Sequence, residues 1–190
     1  MAEAAELSNQ ALTRFRSYLA VLAGVQLDGR LRAKLDASDI VQQTLLEAYE
    51  KRSQFRGATE SELAAWLRKI LAHNLADAIR MLRRAKRDVR MERSLEAAVE
   101  DASSRFDRWI AADVETPSQA AQRNERLVLL ADAVAQLPDA QRDAVTLHHL
   151  EGWPLARIAR RLGRTEPAVA GLLHRGLKRL RELMQESLGG

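Results

Sequence analysis

The stretch PLARIARRLGRTEPAVAGLLHR, residues 154–175, decides the fold of the C-terminal part of the chain. Pro154 suits the first turn of a helix, because a missing backbone N–H costs little there. Apolar residues then recur at the spacing of one helical face, at Leu155, Ile158, Ala159 and Leu162. Gly163 permits the left-handed backbone conformation that ends a helix in a tight turn. This half of the stretch therefore predicts a short amphipathic helix and a glycine turn.

A second, longer helix is predicted directly after the turn. Thr165 is a natural N-cap, and Pro167 falls in the first turn of the new helix. Its apolar side consists of Val169, Leu172, Leu173, Leu177, Leu180 and Leu183. Its remaining surface is basic, with Arg164, His174, Arg175, Lys178, Arg179 and Arg181. This pattern predicts a helix-turn-helix, whose second helix reads base edges in the major groove of DNA. A plain helical hairpin with solvated basic residues is the alternative.

The rest of the chain also has a helical pattern. It is rich in Ala, Leu, Arg and Glu, has only four prolines and shows no sustained alternation typical of strands. A first helix is predicted over residues 8–24, and a second after a cap at Asp36 or Ser38. A third starts near Thr59 or Ser61, each with a carboxylate close behind it, and runs into the basic stretch near Arg93. We therefore expect an all-α fold with two small helical domains joined by a linker.

The expected linker, residues 96–122, is acidic, with two Lys or Arg residues against six Asp or Glu residues. The segments on either side carry net positive charge, which favours a polyanionic partner. Residues 1–95 are the predicted first domain and residues 123–190 the second. A short helix in the linker is expected around Phe106, Trp109 and Ile110.

A basic tract ends the first domain. Arg80, Arg83, Arg84 and Arg87 fall on one helical stripe, where like charges repel one another. A phosphate backbone relieves that repulsion and releases counterions, although a solvated face is the alternative. Phe55 and Trp66 lie near this tract, and aromatic rings beside a basic surface can stack on unpaired bases. Trp66 is expected to belong to the core.

Several function classes are disfavoured by what the sequence lacks. It has no cysteine, no apolar run near the ~18 residues that span a bilayer, and an acidic N-terminal segment unlike a secretory signal. These features favour a cytoplasmic protein without membrane association. No phosphate-binding loop, serine elbow or zinc-binding HExxH pair occurs. We therefore expect no catalytic residues, no metal, no cofactor and no enzymatic activity.

Three segments together resemble a known family. The segment DASDIVQQTLLEAY, residues 36–49, resembles the core-polymerase-binding helix of bacterial sigma factors. The run from FRG at residues 55–57 through WLRKI at residues 66–70 to the basic tract resembles their promoter-melting and −10-recognition regions. LPDAQRDAV, residues 137–145, followed by the helix-turn-helix, resembles their −35-binding domain. With only these two domains, the chain is similar to the extracytoplasmic-function (ECF) subgroup of the sigma-70 family.

The resemblance implies core RNA polymerase and promoter DNA as partners, with roles for particular residues. It implies that the polymerase is contacted by Asp39, Gln42, Gln43, Leu46 and Glu47. The loop of residues 53–59 would accept a flipped base during melting. Melting and −10 binding would involve Phe55, Arg56, His73, Asp77, Arg80, Arg83, Arg84 and Arg87. The −35 element would be contacted by Arg164, Thr165, Glu166, Ala168, His174, Arg175 and Lys178.

The chain departs from the family pattern in places. Gln43 stands where a carboxylate is usual, and a phosphoryl group on Thr44 or Thr59 would restore the negative charge. His73 stands where an asparagine is common. Ala170, Gly171 and Leu172 replace polar and basic residues of the recognition helix, which predicts sparse base reading and greater reliance on phosphate contacts and DNA shape.

Regulation by an anti-sigma factor or by a kinase is a further expectation. The competing interpretations are a stand-alone helix-turn-helix regulator that dimerises through its N-terminal helices, and a DNA-processing enzyme such as a recombinase. The enzyme would need a nucleophile or metal-binding carboxylates, which the sequence does not reveal.

Overall fold

The structure is a computed structural model that describes residues 9–27, 31, 34–83, 89–112 and 123–188. These residues form nine α-helices and one 3-10 turn and contain no β-strand, which confirms the all-α prediction. The chain divides into two compact units, residues 1–101 and residues 102–190. In the described part of the chain, no helix is both long enough and apolar enough to cross a membrane.

The first unit begins with two helices where the sequence predicted one. Helix α1 spans Asn9–Thr13 and helix α2 spans Arg16–Gln26. The break falls at Phe15, whose backbone N–H donates to the carbonyl of Leu12 in a tighter, 3-10-like turn. The Phe15 ring is 2% exposed and packs edge-on to Tyr18. Burial of this ring accompanies the break between the two helices, which apolar spacing alone did not reveal.

Helix α3 spans Ala37–Glu50, a 3-10 turn covers Arg52–Gln54, and helix α4 spans Glu60–Arg83. The Asp36 carboxylate accepts a hydrogen bond of 2.8 Å from the Ser38 N–H and so caps α3, as the sequence predicted. Helices α2, α3 and α4 pack around one apolar core. Its largest fully buried side chains are Leu12, Tyr18, Leu19, Leu22, Leu27, Val41, Leu67, Leu71 and Leu75.

Helix α5 spans Val89–Ala112, so much of the expected linker is a long helix. The helix predicted around residues 106–110 is therefore much longer than expected. The side chains of Phe106, Trp109 and Ile110 lie outside the described part of the chain. Val99 and Ala102 are buried, and the Arg68 guanidinium of α4 makes two hydrogen bonds to the Glu100 carboxylate. A narrow apolar stripe, obscured in the sequence by acidic neighbours, thus gives α5 a packing face. Residues 113–122 lie outside the described part.

The second unit contains helices α6 (Arg123–Ala135), α7 (Asp139–His149), α8 (Leu155–Leu162) and α9 (Glu166–Leu188). Arg105, from the part of α5 that belongs to this unit, donates a hydrogen bond of 3.1 Å to the Leu150 carbonyl at the end of α7. Between α8 and α9, Gly163 has a φ of +63°, the left-handed conformation that the sequence predicted. The helix-turn-helix is confirmed. The core of the second unit includes Leu127, Leu130, Val134, Leu137, Val145, Leu150, Ile158 and Val169.

Candidate functional site

A groove between α1 and α3 contains most of the residues expected to bind the polymerase. It has a volume of about 520 Å³ and is open to solvent. Its lining residues are Asn9, Thr13, Arg16, Asp39, Gln42, Gln43, Leu45, Leu46 and Tyr49. We call this feature the α3 groove. Leu46 is 52% exposed and Tyr49 is 42% exposed, although both are large apolar side chains. The sequence did not predict Leu45 and Tyr49 of α3, Arg16 of α2 or the two α1 residues as part of this site. Tyr49 lies three residues after Leu46, a spacing that could have indicated it.

Glu47 lies next to the groove without lining it. It is half-buried, and its carboxylate accepts a hydrogen bond from Lys51, the residue that caps the C-terminus of α3. Burial raises the pKa of Glu47, but hydrogen bonds with Lys51 and Asn74 and the positive charges of Lys51 and His73 outweigh that effect and lower the pKa. Glu47 is therefore a carboxylate at neutral pH and is held in place from both α3 and α4.

Thr44 lies on the buried side of α3. It is fully buried, donates a 2.8 Å hydrogen bond to the Ile40 carbonyl and accepts one of 3.2 Å from the Asn74 amide. A hydroxyl in this position joins two helices and is out of reach of a kinase. The suggestion that a phosphoryl group could be placed on Thr44 is therefore wrong for the folded protein.

A second, smaller cavity of about 350 Å³ lies at the loop before α4. We call it the loop pocket, and its lining residues are Gln54, Phe55, Arg56, Gly57, Glu62, Ala65, Trp66 and Lys69. The Phe55 and Trp66 rings lie 5.3 Å apart between centroids and are tilted by 41°. Both side chains are half-buried, so the expectation that Trp66 belongs to the core is wrong: it forms one wall of the pocket. The pocket thus combines two aromatic faces with two exposed cations, Arg56 and Lys69.

Gly57 allows the Phe55 ring to reach Trp66. A Cβ atom at Gly57 would lie 2.5 Å from the Phe55 ring and 2.8 Å from the Glu62 Cβ. Atoms this close overlap, so any side chain at this position would displace the ring. The close approach explains why glycine stands in this loop.

A capping box fixes the same loop to the start of α4. The Thr59 hydroxyl accepts from the Glu62 N–H, and the Glu62 carboxylate accepts from the N–H groups of Ala58 and Thr59 and from the Thr59 hydroxyl. These hydrogen bonds lower the pKa of Glu62, and the one from the Ala58 N–H contributes most. The predicted helix start near Thr59 is confirmed. The capping box also fixes the position of Glu62, which lines the loop pocket.

The partly exposed side of α4 continues from the loop pocket toward the C-terminus of the helix, where the Arg80 side chain is only 16% exposed. Residues three or four apart share a helix face, and this spacing defines the α4 stripe: Trp66, Lys69, His73, Asp77 and Arg80. The Asp77 carboxylate bridges two of them, with one oxygen 3.3 Å from His73 Nε2 and the other hydrogen-bonded to Arg80. From Trp66 to Arg80 the stripe extends about 21 Å, the length of about six base steps. The Arg83 side chain and residues Arg84 and Arg87 lie outside the described part of the chain.

The residues predicted to contact the −35 element extend from the turn before α9 to the middle of that helix. Arg164, Thr165, Glu166, Ala168, His174, Arg175 and Lys178 are all exposed. The Thr165 hydroxyl accepts a long hydrogen bond of 3.4 Å from the Ala168 N–H, as an N-cap does. On α8, the Arg157 guanidinium lies 3.7 Å from the centre of the Trp153 ring, an unpredicted cation–π contact. Among the residues that the structure describes, no group of three or more His, Asp or Glu side chains could hold a metal ion.

Two family models match the chain. Residues 15–85 match the model of sigma-70 region 2, and residues 127–180 match that of sigma-70 region 4. Over 180 residues the chain is 32% identical to the ECF RNA polymerase sigma factor SigF of Caulobacter vibrioides, covering 92% of this chain and 88% of the relative. The chain belongs to the sigma-70 family, in its ECF subgroup.

Other relatives support the same assignment. The chain is 29% identical over 150 residues to the ECF RNA polymerase sigma factor SigL of Mycobacterium tuberculosis. It is 31% identical over 153 residues to the RNA polymerase sigma factor CarQ of Myxococcus xanthus. Each match covers 79% of this chain and 75% of the relative. As an ECF sigma factor, the protein binds core RNA polymerase and directs it to promoters. The region 2 match contains the loop pocket, the α4 stripe and the α3 groove apart from Asn9 and Thr13. The region 4 match contains α8, the turn and α9 as far as Leu180.

Proposed function

We propose that the α3 groove is the surface that binds core RNA polymerase. Asp39, Gln42, Gln43 and Leu46 line the groove together, and α3 is the segment that resembles the polymerase-binding helix. Exposed large apolar side chains, here Leu46 and Tyr49, are typical of binding surfaces when they lie within a polar rim. Glu47 contributes from the edge of the groove as a fixed negative charge.

The loop pocket is the proposed site for a base flipped out of the non-template strand. Unpaired bases stack on aromatic faces, and Phe55 and Trp66 present two such faces beside Arg56. The half-exposed rings are the observation that carries this proposal. The α4 stripe would then bind the adjacent −10 DNA through His73, Asp77 and Arg80. Contacts of Arg83, Arg84 and Arg87 with the same DNA stay a prediction from the sequence.

The helix-turn-helix is the proposed reader of the −35 element. Its second helix presents an exposed N-terminal half, and helix N-termini favour phosphate groups through their free N–H groups and dipole. In this proposal Arg164, Thr165 and Lys178 would contact phosphates, and Glu166, Ala168, His174 and Arg175 would contact the bases.

Initiation by this chain would require binding alone, without a covalent step of its own and without a cofactor. The catalytic work falls to the polymerase, and we infer that the sigma factor acts with it in the cytoplasm. An anti-sigma factor would have to cover the α3 groove or the DNA-binding surfaces to be inhibitory. Control by such a partner, or by a kinase acting on the exposed Thr59, stays a prediction.

The deciding experiment compares the wild-type chain with two variants that remove one acidic group each from α3. We expect the wild-type chain to form a stable complex with core polymerase and to support initiation from a cognate promoter. Asp39→Ala should weaken that complex about tenfold, because Asp39 lines the groove. Glu50→Ala changes the charge equally on an exposed residue outside the groove lining and should leave the affinity unchanged. Equal effects of the two variants would refute the groove as the binding surface.

A further inference from the structure

An arginine stacks on an aromatic ring at the end of helix α3. Tyr49 is in the last turn of that helix, and Arg52 begins the 3-10 turn that follows it. The Arg52 Cζ atom lies 4.4 Å from the centre of the Tyr49 ring, which is a cation–π contact. Its Nη1 also donates a hydrogen bond of 2.9 Å to the Tyr49 backbone carbonyl. Two contacts with one residue therefore hold the guanidinium in place.

Only one of these two residues lines the α3 groove. Tyr49 is among the lining residues, and Arg52 is not. Tyr49 is also 42% exposed, although Arg52 lies against its ring. The guanidinium thus supports the ring from outside the groove and leaves part of the ring open to a partner.

An aromatic ring that is already held in place is an effective anchor in a protein interface. Tyrosine is enriched among the residues that contribute most to binding free energy, because it offers a large contact area and has only two side-chain torsions. Immobilising a side chain on binding costs conformational entropy. A ring that rests against a guanidinium loses less freedom when a partner covers it. The contact with Arg52 should therefore make Tyr49 a stronger anchor than an unsupported tyrosine.

The surroundings of the ring indicate what kind of surface covers it. Leu46 lies one turn before Tyr49 and is 52% exposed, and the polar side chains of Asp39, Gln42 and Gln43 line the same groove. An apolar centre within a polar rim is typical of protein–protein interfaces. A DNA-binding surface would carry much more positive charge. The groove therefore fits a protein partner that presents an apolar side chain to the ring.

We propose that Arg52 is a positioning residue that holds the Tyr49 ring as the aromatic anchor of the α3 groove for an apolar side chain of core RNA polymerase. The inference rests on the proposed function of the groove and adds to it an anchor and the residue that supports the anchor. Arg52 acts through Tyr49 and need not touch the polymerase itself.

The affinity of the chain for core polymerase tests both roles. Tyr49→Ala should weaken the complex at least about tenfold, whereas Tyr49→Phe keeps the ring and should stay within about twofold of the wild type. Arg52→Ala should weaken the complex about two- to fivefold, which is the effect of an exposed cation–π contact. Equal losses in Tyr49→Phe and Tyr49→Ala would mean that the hydroxyl binds and not the ring, and would overturn the proposal.

The double variant separates positioning from a purely structural role of Arg52. The hydrogen bond from Arg52 ends on a backbone carbonyl, which is still present in Tyr49→Ala. If Arg52 only capped the end of α3, its removal would lower the affinity equally with or without the ring. We expect Arg52→Ala to cause no further loss of affinity in the Tyr49→Ala background. Additive losses would overturn the proposal.

Arg14→Ala is the matched control. Arg14 is another exposed arginine of the first unit that is held by a contact, an ion pair of 2.9 Å with Glu60, and it does not line the groove. Its removal takes away the same charge and should leave the affinity within about twofold of the wild type. An equal loss in Arg14→Ala would make the effect of Arg52→Ala one of net charge and would overturn the proposal.

Asp39→Ala distinguishes failure of this inference from failure of the proposed function. If Asp39→Ala weakens the complex and Tyr49→Ala does not, the groove binds the polymerase without the aromatic anchor, and this inference alone fails. If both variants bind like the wild type, the groove is not the polymerase surface, and the proposed function fails as well.

Discussion

At the scale of single residues, the loop pocket depends on Gly57. Its missing side chain leaves the space that the Phe55 ring occupies against Trp66. The sequence identified Phe55 as a candidate for base stacking, but it assigned Trp66 to the core. Apolar spacing locates a residue on the inward side of a helix, and it does not tell whether the neighbouring loop covers that residue. Here the loop leaves one side of the indole open.

Gly57→Ala should impair promoter melting. The added methyl group would push the Phe55 ring off Trp66, and loss of one stacking contact of about 1–3 kcal/mol should reduce open-complex formation about tenfold. The measurement is permanganate reactivity of unpaired thymines in a promoter bound by the holoenzyme. Gly24→Ala, which meets nothing within 4 Å, serves as control. Normal melting by Gly57→Ala would remove the pocket from the melting step.

The capping box should make the stability of the first unit depend on pH. The pKa of Glu62 is lower in the folded chain than in the unfolded chain, so its contribution is present above the unfolded pKa and is lost as pH falls through the folded pKa. Wild-type protein should therefore exceed Glu62→Gln in melting temperature at neutral pH, and the difference should vanish in acid. Thr59→Ala should destabilise by about 1 kcal/mol, and Thr59→Ser should restore most of that loss. A Glu62→Gln curve that follows the wild type at neutral pH would contradict the argument.

At the scale of elements, the caps and the helix-turn-helix followed from the sequence, and α5 did not. Asp36, Thr59 and Gly163 are local signals, because each acts within four residues of its own position. The packing of α5 depends on Arg68, which lies far from Glu100 in sequence. A contact between residues so far apart in sequence leaves no local pattern. The sequence therefore predicted a linker where the structure has an acidic helix with a narrow apolar stripe.

The Arg68–Glu100 pair should contribute measurably to the docking of α5 on the first unit. Arg68 also donates a 3.2 Å hydrogen bond to the Tyr18 hydroxyl, and interactions with Tyr18 and Glu100 outweigh burial and raise the pKa of Arg68. A double-mutant cycle with Arg68→Ala and Glu100→Ala in urea unfolding should give a coupling of up to about 1 kcal/mol, since Glu100 is largely exposed. Amides of residues 94–101 should exchange faster in both single variants.

The Arg179–Glu182 pair provides a comparison for that cycle. It is an exposed pair three residues apart within α9, a class that contributes only a few tenths of a kcal/mol. Its cycle should therefore give a smaller coupling than the Arg68 cycle. If the two cycles give equal values, the docking of α5 on the first unit rests on Val99 and not on the ion pair.

At the scale of the whole molecule, substitutions in the two units should impair different steps. Those in the first unit should impair polymerase binding and melting, and those in the second should impair binding of the −35 element. The sequence predicted this division, because the charge pattern and the motifs could be located without the fold. It could not give the shape of the groove or of the loop pocket, because each is lined by side chains from more than one element of the chain. Thr44 illustrates the limit, since a hydroxyl that looked accessible in the sequence is fully buried.

Salt dependence of promoter binding should separate the two units. Arg164 is exposed in the turn before α9, where a phosphate contact is expected. Arg164→Ala should therefore reduce by about one the slope of log affinity against log salt for holoenzyme on promoter DNA. Asp39→Ala should leave this slope unchanged once the complex with polymerase has formed. An unchanged slope in Arg164→Ala would mean that this arginine does not neutralise a phosphate.

The exposed pair Leu46 and Tyr49 has a consequence for the supply of the protein in a cell. Apolar area that only a partner can cover is a liability for aggregation whenever the chain outnumbers that partner. Solubility of this sigma factor should therefore follow its ratio to free polymerase more than its total amount. Light scattering during titration with core enzyme would measure how aggregation of the chain depends on this ratio. The abundance of polymerase would therefore limit the amount of this sigma factor that a cell can keep soluble.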